Sequence, residues 1–159
     1  MGIKRRMRLT TYSDYALRVL MYLALKSDGL STIAEIAESY NISEAHLMKV
    51  VHQLGVAGYI GTVRGRGGGL RLAKPVEAIS LAEVIRTTEP DMAIVSCLKP
   101  VNAPCVINPS CVLKRALQRA QEAFMEVLEG YTLADLVAPR ARLAGLLGIP
   151  PGASPASTS

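Results

Sequence analysis

No apolar run in the 159-residue sequence approaches the ~20 residues that a membrane-spanning helix needs. The opening stretch "MGIKRRMRLTTYSDYALRVLMYLALK" sets a basic cluster ahead of apolar residues, as an export signal does. Asp14 and Arg18 interrupt the apolar core such a signal requires, so a soluble, unprocessed, cytoplasmic protein is expected, with no membrane partner. Cysteine is missing everywhere except in "SCLKPVNAPCVINPSC", which holds all three. An odd number of thiols argues against a disulfide framework and for a reducing compartment. Acidic residues are missing between Glu44 and Glu77, where Lys49, Arg64, Arg66, Arg71 and Lys74 stand. Outside the cysteine loop there is no nucleophile with a base and no paired carboxylates in an evident pocket, so no enzyme is expected. No internal repeat is visible.

What the chain does contain is hydrophobic residues at half of all positions and a net charge of +5. That composition suits an ordered globular protein with a polyanionic partner. From Thr11 to Lys26 the spacing of Tyr12, Tyr15, Ala16, Val19, Leu20 and Leu23 predicts one face of a helix, with Thr11 and Asp14 as a capping box. "STIAEIAESY" predicts a second helix capped by Thr32 and Glu35, with Ile33, Ile36 and Ala37 inward. It ends at Asn41, which tolerates the left-handed turn conformation.

Ser43 caps a third helix reaching about Ala57. Leu47, Val50, Val51 and Leu54 face inward, His52 is partly buried, and His46, Lys49 and Gln53 lie opposite. Then "YIGTVRGRGGGLRLAKP" reads as a hairpin around a glycine-rich tip. Helix-turn-helix followed by hairpin is a winged helix, so the expected class is mainly α (α+β). The charge falls on the third helix and the wing, the two elements that reach a duplex groove and its phosphates. Ser43, Glu44, His46, Lys49, Arg64, Arg66, Gly67 and Gly68 are the candidate DNA contacts. Ser43 and Lys49 suit phosphates, and Glu44 or His46 suit base edges. "GRGGG" is not a P-loop, since it lacks the Gly-Lys-Ser/Thr ending and leads from no strand into a helix. A solvated hairpin with no ligand is the blander alternative, and the one-sided charge argues against it.

Ser80 and Glu83 cap a further helix to about Thr88, and residues 89–110 read as a loop. In the helix that follows, Leu113, Leu117, Ala120, Phe124, Val127 and Tyr131 are spaced four, three, four, three, four, a heptad seam that calls for a partner helix. A symmetric homodimer through Leu113 to Val127 is the simplest partner, and packing on the chain's own N-terminal part is the alternative. Gly130 is the expected stop. "GIPPGASPASTS" reads as a disordered tail. The expected organisation is therefore a winged helix over 7–88, a cysteine loop over 89–111, a dimerisation helix and C-terminal segment over 111–148, and a tail over 149–159.

Cys97, Cys105 and Cys111 form C-x7-C-x5-C. They could be buried small hydrophobes, but clustered cysteines in a reducing compartment point to metal or redox chemistry. Structural zinc favours C-x2-C pairs, and no histidine lies near. An iron–sulfur cluster fits better, with three thiolates leaving a fourth ligand to be found and an iron approachable by small molecules. A ferredoxin-like electron carrier would use the same cluster but has no need of an acid-free wing or a heptad seam.

"MRLTTYSDYALRVLMYLA", "IAEIAESYNIS", "HLMKVV", "VRGRGGGLRLAKP", "EVIRTTEP", the three cysteines and "YTLADLV" together resemble the Rrf2 family of bacterial winged-helix regulators, and within it the nitric-oxide-sensing repressors. The resemblance runs from Met7 to about Gly148, so residues 1–6 look like an extension or a misassigned start. It implies a homodimer on a near-palindromic operator, with one cluster per subunit and repression relieved when nitric oxide attacks that cluster. It implies Cys97, Cys105 and Cys111 as ligands and, in some members, an aspartate of the other subunit at the position of Asp14, which could equally serve the helix cap. Members with a histidine three residues after the third cysteine are a poorer match, because Lys114 stands there. A [4Fe-4S] cluster is favoured over [2Fe-2S], and an iron- or redox-sensing regulator is the nearest alternative.

Overall fold

The computed structural model of the chain describes residues 7–26, 28–99, 101 and 105–151. The expected extension and residues 152–159 of the expected tail lie outside them. α1 (Thr11–Leu25) buries Ala16, Val19, Leu20 and Leu23 in the core. Its cap differs from the expected one. Thr10 is extended (φ −64°, ψ 155°) and its Oγ1 accepts from the Ser13 amide at 3.2 Å. Thr11 is already helical, so Asp14 is not a capping-box partner and pairs instead with Arg18 one turn on.

α2 (Ile33–Tyr40) opens with both halves of the expected capping box between Thr32 and Glu35 and closes on Asn41 at φ 52°. That left-handed residue swings the chain into α3 (Glu44–Val56). Ser43 occupies the N-cap position, but its hydroxyl makes no cap hydrogen bond. Leu47, Val50, Val51 and Leu54 are buried, as their spacing predicts. His52, expected to be partly buried, is exposed: a step of about 100° per residue carries it nearly opposite the inward face.

The wing is β1 (Ile60–Val63) antiparallel to β2 (Gly69–Leu72), in register from Ile60 opposite Leu72 to Val63 opposite Gly69. A further rung joins the segment before α2 to this hairpin: Ser31 and Leu70 exchange N–H···O bonds of 3.0 and 2.7 Å. Gly69 makes the close approach possible, since a Cβ there would stand 2.8 Å from the Ser31 carbonyl oxygen.

α4 (Leu81–Thr88) starts at Ser80, whose hydroxyl accepts from the Glu83 amide. The stretch read as a loop carries short 3-10 turns at Ser96–Leu98 and Asn108–Ser110 before α5 (Val112–Glu129) begins. α5 packs on α4, and Met125 is its buried residue. The chain then returns. The Leu81 amide donates to the Tyr131 carbonyl at 3.0 Å and the Leu133 amide to that of Ile79 at 2.9 Å. α6 (Leu133–Leu136) and α7 (Arg140–Leu146) both pack on α1. Leu133, Val137 and Ile149 belong to the same core as Val19 and Leu20. The C-terminal segment expected to go with the long helix is thus part of the winged-helix body. Ile149, expected to open the tail, is 5% exposed; Gly148 at φ 65° turns it inward, and its amide bonds the Ala144 carbonyl at 2.9 Å.

Candidate DNA-binding face and cysteine loop

Ser43, Glu44, His46 and Lys49 are all exposed along the first half of α3. α3 leads through Tyr59 into β1 and packs on it, which ties the recognition helix to the wing. At the wing tip Arg64 and Arg66 are exposed, and Gly67 sits at φ 74°. A Cβ on Gly68 would fall 2.2 Å from the Val63 carbonyl oxygen, so the tip closes only with glycine there. The result is a turn without side-chain bulk, flanked by two guanidinium groups, that can bring backbone N–H groups close to a sugar-phosphate chain.

The cysteine loop leaves α4 at Glu89, which is anchored. Its Oε1 accepts from the Thr10 amide at 2.8 Å, from the Thr10 hydroxyl at 3.0 Å and from the Ser13 hydroxyl. Ser13 Oγ also lies 2.7 Å from Thr88 Oγ1, in a buried contact. The start of α1, which carries Asp14, is thereby fastened to the start of the loop. Sequence reasoning missed Glu89, whose partners are more than seventy residues away.

None of the three cysteines is in a disulfide among the described residues. Cys97, in the turn Ser96–Leu98, lines a groove of about 670 Å³ together with Arg86, Lys99, Lys114, Met125 and Glu129. Cys111 is the N-cap of α5, and its Sγ accepts from the Lys114 amide at 3.3 Å. Cys105 is exposed. Cys111 thus caps α5 and the Cys97 turn packs on the same helix; among the described residues no three His, Cys, Asp or Glu side chains gather into a metal-binding group. The donor chemistry nevertheless suits a thiophilic iron–sulfur group. All three sulfurs come from one loop, and sulfur is the usual ligand of such a group. Asp14 is accessible, its side chain 48% exposed, and Arg18 holds it through two contacts of 3.1 and 3.0 Å. The i,i+4 spacing of this pair was visible in the sequence.

Along the heptad seam Leu113, Ala120, Phe124, Val127 and Tyr131 are exposed and Leu117 is half-buried.

Residues 9–139 match the Rrf2 family, described as an iron-dependent transcriptional regulator. This chain belongs to the Rrf2 family. Proteins called HTH-type transcriptional regulator NsrR are similar to it: that of Bacillus subtilis is 52% identical over 132 residues, covering 82% of this chain and 90% of that protein. That of Bacillus licheniformis is 49% identical, over 82% and 92%. Among solved structures, CymR, the global cysteine regulator of B. subtilis, superposes with a TM-score of 0.69 at 32% identity, covering 84% of this chain and 98% of CymR. IscR of T. potens gives 0.66 at 25% identity, over 84% and 88%. The Rrf2 chain is therefore a DNA-binding winged-helix regulator of transcription, not an enzyme. Among the described residues no helix is long and apolar enough to cross a membrane.

Proposed function

We propose that this Rrf2 chain is a cytoplasmic repressor that grips operator DNA as a homodimer, and that the cysteine loop makes its grip responsive to nitric oxide through an iron–sulfur cluster. The observation that carries this reading is the position of the three cysteines, in the loop that joins α4 to a helix whose seam residues Leu113, Phe124 and Val127 are exposed. Cys97, Cys105 and Cys111 would hold the cluster, [4Fe-4S] in preference to [2Fe-2S], with Asp14 of the second copy as the fourth ligand. Bound there, the cluster supplies iron that reacts with nitric oxide.

The chain's own residues convert the state of the loop into DNA affinity. Cys111 is hydrogen-bonded into the first turn of α5, and the Cys97 turn packs against the same helix, so a change in how the thiols are held is felt by α5. In a dimer joined along the seam, α5 sets the separation of the two α3 helices. Half-sites lie about 34 Å apart per turn of DNA, so a small error misplaces both helices. A difference of ~1–3 kcal/mol between the two states gives a switch of roughly 5- to 150-fold.

A second reading, in which the same loop senses iron or redox state, is favoured by the family's description as iron-dependent and by the similarity to IscR. The test is anaerobic purification, with iron content and visible absorption followed during nitric oxide titration. Affinity for the duplex most enriched from a random pool is measured alongside. Cys105→Ala should abolish the absorption. A colourless, iron-free wild-type protein that still binds this duplex and releases it on nitric oxide addition overturns the reading, and a cluster that responds only to iron supply or oxidant selects the second.

A further inference from the structure

The exposed face of α3 continues beyond the turn that carries Lys49. His52 stands one turn after Met48, on the side turned away from Leu47, Val50, Val51 and Leu54. Beside it α3 and β1 diverge and leave an open cleft of about 370 Å³, lined by Val51, His52, Gly55, Val56, Ile60 and Thr62. Val51 and Ile60 are buried, while the other four are exposed. His52 and Thr62 supply the polar side chains of this lining. The one acidic residue of α3 and β1 is Glu44, eight residues from His52 and so ~12 Å away along the helix. Gly55 has no packing reason to be glycine: a Cβ there would meet no atom within 4 Å, although glycine weakens a helix relative to alanine. Among the described residues nothing fills the space beside it.

We propose that this cleft seats one phosphate of the DNA strand that divides the groove read by α3 from the groove met by the wing tip, with the His52 imidazole N–H and the Thr62 hydroxyl donating to its oxygens. The candidate base contacts lie in the first half of α3, and Arg64 and Arg66 lie at the far end of the hairpin. A strand running between the two elements crosses the place where they part, which is the cleft. An imidazole N–H and a hydroxyl are both donors, and donors to phosphate fix a protein's register on the duplex without reading sequence. Val56, 78% exposed, offers apolar surface to the adjoining sugar, and the bare Gly55 leaves room for it. The inference rests on α3 and the wing being the elements that meet DNA, and it needs neither a cluster nor nitric oxide.

The test measures the affinity of the full chain for the pool-selected duplex and for a duplex of the same length and scrambled sequence. His52→Ala and Thr62→Val should each lower both affinities about threefold or more, and by similar factors, because a phosphate contact is indifferent to sequence. Gly55→Leu fills the cleft from a position where a side chain meets no neighbour. It should melt no lower than wild type and yet bind both duplexes about tenfold more weakly. The pool-selected duplex is then rebuilt with one phosphate at a time replaced by a neutral methylphosphonate. One phosphate in each half-site should matter to wild type and cease to matter to the double variant His52→Ala, Thr62→Val. Unchanged affinity in the double variant or in a folded Gly55→Leu, a loss confined to the selected duplex, or the same sensitive phosphates in wild type and double variant overturns the proposal. Lys49→Ala and Arg66→Ala are measured alongside. Affinity lost in these two and kept in the double variant removes the cleft alone, whereas affinity kept in all of them removes α3 and the wing as the DNA face. Iron-free native protein would sink the sensing reading and leave the cleft standing.

Discussion

Replacing Glu89 with alanine removes the acceptor that ties the start of α1 to the start of the cysteine loop. Three donors converge on Glu89 Oε1: the Thr10 amide, the Thr10 hydroxyl and the hydroxyl of Ser13, which has 0% exposure. A hydrogen bond to a charged group contributes ~1.5–3 kcal/mol, and three that share one oxygen do not add. Ser13 keeps its contact with Thr88, and Thr10 keeps its cap bond to the Ser13 amide, so the net loss is about 3 kcal/mol. In a chain of this length each kcal/mol lowers Tm by ~2–4 °C, which gives ~6–12 °C for Glu89→Ala. Glu89→Gln keeps an oxygen without the charge and should lose roughly half as much. Thermal unfolding followed by far-UV circular dichroism measures both, together with Ser13→Ala and the double variant, whose effect should be less than the sum. A Tm for Glu89→Ala within ~2 °C of wild type, less than a single such bond provides, would refute the reasoning.

Phe124→Asp puts a charge in the middle of the uncovered seam and should leave a folded monomer in sedimentation velocity, with operator affinity reduced at least tenfold; an unchanged dimer would remove α5 as the interface. Arg66→Ala at the wing tip should lower the slope of log affinity against log salt by about one unit, and an unchanged slope would mean that Arg66 touches no phosphate. Lys26 Nζ donates to Glu35 at 2.8 Å; this bond, then the Thr32 amide, holds the Glu35 carboxyl below its ordinary range, and the same bond raises Lys26. The stabilisation from Glu35 is present above the ordinary glutamate range and lost as pH falls through the lowered value. That from Lys26 is present below the ordinary lysine range and lost as pH rises through the raised value. Glu35→Gln should therefore cost ~0.5 kcal/mol near neutral pH, with the difference from wild type narrowing at both extremes in urea melts; a difference independent of pH would show that the pair contributes nothing.

Much of the fold can be read locally because its causes are local. The inward set Leu47, Val50, Val51 and Leu54 follows from helical periodicity, and the turn between α2 and α3 follows from Asn41 adopting the left-handed conformation. The same holds for the Thr32–Glu35 box, the glycine tip of the wing, the thiol spacing and the uncovered heptad seam. Local patterns also misled. A cap shifted by one residue, from Thr11 to Thr10, changes the partner of Asp14 from a backbone amide to Arg18, and propensity does not resolve a one-residue shift.

Residue spacing over a turn or two was enough to place the helices, the wing, the basic face and the clustered thiols, because sterics and nearby hydrogen bonds settle those features before any distant segment arrives. Only the tertiary structure decided that Ser31 pairs with Leu70, that Ile149 returns to the core beside α1, that Glu89 fastens Thr10 and Ser13, and that Arg18 lies between Tyr15 and Tyr40. Each joins elements far apart in the chain. Which donor meets which acceptor is then chosen by how the helices pack, a condition no short stretch of sequence contains.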